Sequence, residues 1–428
     1  MNILMLTNTF TPHVGGVARS VEAFTAHYRR SGHRVLVVAP TYDEAPPNES
    51  DVVRIPAIQH FNGSDFSLPV MIPGLLTSAL AESPPDVVHS HHPFLLGDTA
   101  LRVGATYNVP VVFTHHTQYD QYTHYLSSDS TTLQRIAVEI ATGYCNLCHG
   151  VIAPSRGVAD SLKEHQVEVP VEVIPTGVDI ERFAHGDGRR FRQEIGLPAD
   201  AFVVGHLGRL APEKNLDFLT EAVAKFLRGR QHSYFLVVGG GPMEADIEAK
   251  FAEHGLQDRL RMAGVRQGQE LIDAYHAMDV FAFASHTETQ GLVVAEAMAA
   301  GVPVVAVQAP GVEDVVVDKK NGRLLPADDV DSFAEALGWM DELAPGKRRA
   351  LKSQMQRTVE NFSIARCADR ALAFYERLRA TVPQIKPTED SSWAAALRWV
   401  EEEIKILTYH AKAVGGALAT TITSDENS

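Results

Sequence analysis

Short apolar runs alternating with helical stretches, in two successive series, restrict the fold of this chain more than any other feature. Ile3 to Leu6, Val35 to Ala39, Val87 to His89, Val111 to Thr114, Val151 to Ala153 and Val171 to Ile174 make the first series. The second follows Gly177, with strands expected near Phe202, Phe235, Leu260, Phe281 and Val304. Short runs that are apolar throughout suit strands covered on both faces, and the helical stretches between them supply the crossovers of a parallel sheet. At 428 residues the chain exceeds what one core usually serves. We therefore expect an α/β protein of two doubly wound, Rossmann-like domains with an interdomain cleft, joined by the linker Ile174-Pro175-Thr176-Gly177-Val178-Asp179. The expected boundaries are 1–178 for the first domain, 179–363 for the second, 364–385 for a closing helix, and 386–428 for a C-terminal helical extension.

Composition narrows the function. A net charge of −15 without clustered Lys and Arg argues against a nucleic-acid partner, and the same deficit weakens docking on an anionic membrane. The opening Met1-Asn2-Ile3-Leu4-Met5-Leu6-Thr7 lacks a basic segment and reads as a first strand rather than a leader. No run approaches the roughly 20 apolar residues of a spanning helix. A cytoplasmic location is expected, with peripheral contact on the inner face of the cell membrane left open. Three cysteines cannot make a disulfide framework. Cys145-Asn146-Leu147-Cys148-His149 spells a haem-attachment motif, but it lies between a long helix and a buried strand without an export signal, so buried structural thiols are the better reading.

Three loops at strand ends in the second half are built for an anion. In the segment Glu288-Thr289-Gln290-Gly291-Leu292-Val293-Val294-Ala295-Glu296, a strand ends in a polar loop that opens a helix, and the free N–H groups of such a helix start favour a phosphate. Each glutamate can accept two hydroxyl hydrogen bonds at once, which suits vicinal sugar hydroxyls. Alone, the two glutamates could equally be solvated charges beside an ordinary helix. Arg209 and Lys214, in Gly208-Arg209-Leu210-Ala211-Pro212-Glu213-Lys214-Asn215, add a planar fork and a point charge of the kind a diphosphate needs. The competing reading is a salt bridge from Lys214 to Glu213 or Asp217. Gly239-Gly240-Gly241 would let backbone approach a ligand closely, though it is not a dinucleotide fingerprint.

In combination these segments and the linker resemble the retaining glycosyltransferases of family 4 with the GT-B fold, from Met1 to near Leu378. The resemblance implies that Glu288 contacts a donor sugar, Glu296 the ribose, and Arg209 and Lys214 the diphosphate, with His116 of His116-Thr117 beside the sugar. It also implies donor contacts at Gly15, Gly16, Gly240, Val265, Thr289, Gln290, Gly291 and Leu292, and no cofactor or metal beyond a UDP-sugar substrate. Gln290 stands where many members carry Phe, a variant found among lipid glucosyltransferases.

Histidines crowd the first half: His89, His91 and His92 in one expected loop, His115 and His116 in another, then His124. Zinc would need acidic or cysteine partners at ligand spacing, which are missing, so polar recognition is the preferred role. Ser90-His91-His92-Pro93-Phe94-Leu95-Leu96-Gly97 and the stretch His116 to Tyr125 most resemble diacylglycerol glucosyltransferases, placing acceptor contacts at His92, Gln118, Tyr119 and Tyr122. Those tyrosines could instead simply pack the domain. The implied activity is transfer of a hexose, glucose by preference, from a UDP-sugar to a lipid hydroxyl such as that of diacylglycerol. The alternatives are another acceptor (phosphatidylinositol or a soluble glycan), a UDP-sugar epimerase, or a non-catalytic nucleotide-sugar sensor.

Past the family core, Trp393, Leu397, Val400, Ile404, Leu407, Ala411 and Val414 recur at spacings of four and three, with Glu401, Glu402, Glu403, Lys405 and Lys412 elsewhere on the helix. This stripe is expected to pack on the protein's own surface, to pair with another chain as an oligomer, or to lie on a membrane. From Thr420 the chain reads as a disordered tail.

Overall fold

A computed structural model describes residues 1–13, 15–43, 45–46, 49–58, 68–69, 76–116, 131–383 and 391–425. The chain divides into two compact units, Met1–Thr176 with Cys367–Ser428, and Gly177–Arg366.

The first unit carries a seven-stranded sheet whose spatial order is Val52–Ile55, Arg34–Pro40, Asn2–Leu6, Val87–Ser90, Val111–Thr114, Gly150–Ala153, Val171–Val173. Every neighbouring pair in it is parallel. Asn2–Leu6 shows why the strands are apolar throughout. Successive side chains point to opposite faces, so Leu4 and Leu6 enter one core with Phe113 and Tyr144, while Ile3 and Met5 enter another with Tyr28 and Val112. Both faces are closed by helices from the end of the chain. Helix Ile364–Thr381 supplies Phe374, Tyr375 and Leu378 to the Ile3 face. Helix Ser391–Asp425 supplies Ile406 and Tyr409 to the Leu4 face. Cys145 and Cys148 are free, buried thiols in that same core, and burial pushes both pKa values up.

The last helix overturns one of the three alternatives expected for its stripe, that of packing on the protein's own surface, and departs from the expected tail. It docks through Ile406, Tyr409 and Ala413, all buried, whereas Leu397, Val400, Ile404 and Leu407 of the regular stripe are exposed. It also continues through Thr420 to Asp425, where an irregular tail was expected.

The second unit holds a six-stranded parallel sheet in the order Leu260–Gly264, Ser233–Val238, Phe202–Leu207, Val280–Phe283, Val304–Val307, Gly322–Leu325. Helix Leu216–Arg228 buries Leu219, Ala222, Val223 and Phe226, one face at helical spacing. In both sheets the winding direction reverses beside the first strand: between Asn2–Leu6 and Val87–Ser90 in one, and between Phe202–Leu207 and Val280–Phe283 in the other. The loops leaving the carboxyl ends of such strand pairs are where open α/β sheets bind ligands. No helix among the described residues is long and apolar enough to cross a membrane.

Candidate active site

In the second unit, the three loops singled out in the sequence form one cluster at the reversal point. Strand Phe202–Leu207 runs into Arg209 and the short 3-10 turn Pro212–Lys214, and strand Val280–Phe283 runs into Glu288. Several side-chain contacts tie the two ends. The Ser285 hydroxyl donates to the Glu213 carbonyl at 3.2 Å, Asn215 Nδ2 donates to the Ala284 carbonyl at 3.3 Å, and Lys214 Nζ donates to Glu288 Oε1 at 2.5 Å. Lys214 thus has Glu288 as an ion-pair partner. Glu213 meets Arg209 at 3.2 Å, and Asp217 meets Lys250 at 3.2 Å. The Lys214 and Glu288 side chains are 19% and 16% exposed, so their attraction is less screened than at an open surface.

The glycine loop lies directly against Arg209. Gly239 has φ +142°, and a Cβ there would stand 1.9 Å from the Gly208 carbonyl oxygen, so only glycine lets the two backbones meet. The Leu210 N–H donates to the Gly240 carbonyl at 3.0 Å, and the Gly241 N–H donates to Glu244 Oε1 at 2.8 Å. Val265 stands beside Gly240 and is 67% exposed, an unusual position for a large apolar side chain.

Helix Leu292–Ala299 opens at Gly291, whose φ of +60° turns the chain from the half-buried Thr289 and Gln290 into the helix. Leu292 is its first residue, and the dipole of the helix start points back at the loop of Glu288. Glu296, just over a turn in, is 6% exposed and accepts a hydrogen bond from the Tyr275 hydroxyl at 2.9 Å. Below the cluster, the ring of His206 stacks on Phe281 and Phe283. Burial lowers its pKa to about 4, so it is neutral at pH 7.

In the first unit, the loops at the reversal point are joined by Asn8. Its backbone N–H donates to His92 Nδ1 at 3.0 Å, its Nδ2 donates to the Phe94 carbonyl at 3.1 Å, and its Oδ1 accepts from the Leu96 N–H at 3.3 Å. A donor aimed at Nδ1 requires a lone pair there, so the neutral His92 ring carries its proton on Nε2. Burial lowers the His92 pKa to about 3. Gly15 caps helix Gly16–Arg30 from an extended conformation, and a Cβ on Gly16 would meet nothing within 4 Å among the described residues.

His116 lies just past strand Val111–Thr114, half-buried, with Nε2 at 2.9 Å from His91 Nδ1. Two features of the histidine group differ from expectation. His89 belongs to strand Val87–Ser90, in line with the apolar run from Val87 and not with the histidine loop, and it bridges the hydroxyls of Thr114 (2.7 Å) and Tyr375 (2.6 Å) inside the core. His115 is buried with its ring edge against Phe113. Desolvation lowers His89 to about 3 and His115 to about 4, and it holds His91 and His116 well below the usual imidazole range. Gln118, Tyr119, Tyr122 and His124 lie outside the described residues.

Asn8, Tyr275, His206 and Gly311 carried no signal in the sequence reading. Gly311 donates its N–H to the Glu288 carbonyl at 3.1 Å, and a Cβ on it would come within 2.3 Å of the Gln290 nitrogen. The second unit therefore offers two cations, a helix start and two carboxylates around one loop cluster, a set suited to a sugar diphosphate.

Residues 14–182 match the model of Glycosyltransferase Family 4, and residues 187–357 match that of Glycosyl transferases group 1. The chain is 28% identical to an alpha-monoglucosyldiacylglycerol synthase of Streptococcus pneumoniae, over 76% of this chain and 75% of that one. It is 30% identical to a GDP-mannose-dependent alpha-mannosyltransferase of Mycobacterium tuberculosis, over 89% of this chain and 97% of that one. Among solved structures, HepE of Anabaena in complex with UDP superposes with a TM-score of 0.67 at 21% identity, covering 88% of this chain and all of that one.

Proposed function

The chain belongs to the family 4 and group 1 glycosyltransferases of the GT-B fold, and from that premise we propose that it moves a hexose, glucose by preference, from a UDP-sugar to the hydroxyl of a membrane lipid such as diacylglycerol, with the α configuration retained. The observation that carries the donor half of this reading is the 2.5 Å pair of Lys214 and Glu288 at the reversal point of the second sheet. It sets a cation for the diphosphate and a carboxylate for the sugar side by side.

In this reading Arg209 and Lys214 neutralise the charge that grows on the diphosphate as the glycosidic bond breaks, aided by the start of helix Leu292–Ala299. Glu296, held by the Tyr275 hydroxyl, orients the ribose. Glu288 holds sugar hydroxyls on one side while anchoring Lys214 on the other. His116 is neutral at pH 7 and serves as a hydrogen-bond partner for the sugar rather than as a charged group. The acceptor hydroxyl attacks on the face that the diphosphate leaves, so no protein nucleophile is required, and no metal is assigned. His92, whose neutral ring carries its proton on Nε2, is assigned the contact with an acceptor oxygen.

The lipid acceptor draws on the name of the pneumococcal relative, and the mannosyltransferase name favours a second reading in which the donor is GDP-mannose. The deciding experiment incubates the purified chain with UDP-glucose, UDP-galactose, UDP-N-acetylglucosamine and GDP-mannose against diacylglycerol, phosphatidylinositol and soluble glycans, and identifies products by mass spectrometry. Glucosyl-diacylglycerol from UDP-glucose alone supports the proposal. A mannosylated product supports the second reading. Turnover of the sugar nucleotide with no acceptor present, followed by NMR, would indicate an epimerase and overturn both.

A further inference from the structure

Among the described residues, eight large hydrophobic side chains are exposed, and five of them, Leu397, Trp399, Val400, Ile404 and Leu407, lie on the single helix Ser391–Asp425. The opposite side of that helix is already occupied. Tyr409, 8% exposed, has its hydroxyl within hydrogen-bond distance of the Pro93 and Ile140 carbonyls, at 3.3 and 3.0 Å, and its ring covers Gly143. Arg102 clasps Glu403 through two hydrogen bonds, of 2.6 and 3.0 Å. Docked in this way, the helix cannot turn Leu397, Val400, Ile404 and Leu407 inward without exposing Ile406 and Tyr409. The exposed row is thus a second apolar face, left uncovered among the described residues of the protomer.

We propose that this row is the self-association surface of the protein, and that its occupant is the same helix of a second copy. The spacing carries the argument. Trp393, Leu397, Val400, Ile404, Leu407, Ala411 and Val414 alternate by four and three without interruption, a mean period of about 3.5 residues, which is the a/d seam of a coiled coil rather than the broader face of a helix lying on a flat surface. With Leu397 at a, the flanking e and g positions are Ala396, Glu401, Glu403, Thr408, His410 and Gly415. In a parallel pair Ala396 would face Glu401, Glu403 would face Thr408, and His410 would face Gly415, so no like charges oppose each other. A lipid surface fits less well. Between Trp393 and Val414, Arg398, Lys405 and Lys412 are matched by Glu401, Glu402 and Glu403, without the cationic excess of interfacial helices.

The test uses the full chain and the double variant Ile404→Glu, Leu407→Glu. These side chains are 59% and 61% exposed in the protomer, so the variant should fold, with a melting temperature within a few degrees of the parent. Sedimentation equilibrium from low to high micromolar concentration is expected to show the parent shifting to twice the monomer mass and the variant staying monomeric. A parent that is monomeric throughout overturns the proposal, as does a dimer that survives the double substitution. Flotation with phosphatidylcholine–diacylglycerol vesicles separates the lipid alternative: a monomeric parent that floats and a variant that does not would assign the row to a membrane instead. Transferase activity is not the readout, so this proposal and the proposed reaction can fail independently.

Discussion

Lys214 and Glu288 stand 74 positions apart in the chain, yet Nζ and Oε1 lie 2.5 Å from each other across the two strand ends where the second sheet reverses its winding. The two side chains are only 19% and 16% exposed, and the desolvation they undergo offsets much of their mutual attraction, so the pair's net contribution to folding is small. Its value is positional, since each group fixes the other where a sugar diphosphate would bring its charge. Lys214→Ala is therefore expected to lower kcat by roughly 10²-fold or more, the cost of removing one preorganised partner of transition-state charge. The melting temperature should move by only a few degrees. UDP release measured at saturating donor checks the first point and thermal denaturation the second; unchanged turnover would remove Lys214 from the mechanism.

Tyr275→Phe tests Glu296 without touching it. The hydroxyl that donates to Glu296 Oε2 is lost, leaving a buried carboxylate short of one charged hydrogen bond, a change of about 1.5–3 kcal/mol. Since Glu296 is assigned to the ribose, the effect should fall on donor affinity more than on kcat. We expect the donor Kd from calorimetry to rise about tenfold or more. A variant that binds UDP as tightly as the parent would show that Glu296 needs no such orientation.

Both parallel sheets were legible because strands buried on two faces leave uninterrupted apolar runs, as Val111–Thr114 and Val280–Phe283 do. That Arg209, Lys214 and Glu288 share one loop cluster was legible because each follows an apolar run that forms a strand, and those strands, Phe202–Leu207 and Val280–Phe283, are neighbours in the sheet. What escaped was set by tertiary contact. Asn8 holds His92 and Leu96 through atoms 84 and 88 positions away, and nothing local marks it. His89 fell both at the end of the apolar run from Val87 and in the histidine loop, and only Thr114 and Tyr375, from distant segments, make its burial in the strand tolerable. On the last helix, the regular stripe lost the docking site to Tyr409 because Gly143 and the carbonyls of Pro93 and Ile140 suit a phenol, a match that a hydrophobic period cannot register.

Acid should weaken the first unit at a pH where carboxylates are still ionised. His89, His92 and His115 have folded pKa values of about 3, 3 and 4, below the roughly 6.5 of an unfolded chain. Between those limits the unfolded state binds more protons, so unfolding free energy increases with pH there. The stability is fully present above about pH 6.5 and is lost as pH falls, by at most about 1.4 kcal/mol per unit for each histidine. We expect the melting temperature to drop between pH 7.5 and 5.5, with hydrogen exchange rising first in Met1–Thr176 and the helices after Cys367. His89→Asn should flatten that slope. A melting curve that does not move over this range would contradict the buried neutral state.

Gly311→Ala is the sharpest probe of the donor loop, because Gly311 contributes no side chain to chemistry. A Cβ there would lie 2.3 Å from the nitrogen and 2.5 Å from the Cα of Gln290, and backbone cannot swing aside as a side-chain tip can. The loop from Glu288 to Gly291 must therefore shift, carrying with it the Glu288 carboxylate and the start of helix Leu292–Ala299. Misplacement of that order costs about 10²-fold when positioning supplies the rate. Gly346→Ala is the control, since a Cβ there meets nothing within 4 Å among the described residues and helix Pro345–Glu360 should gain from it. Parallel kcat/KM measurements are expected to show a large loss for Gly311→Ala beside parent-like activity for Gly346→Ala, with both circular dichroism spectra unchanged. Equal activity in the two variants would mean that the loop tolerates displacement and that the geometry around Gln290 does not govern the reaction.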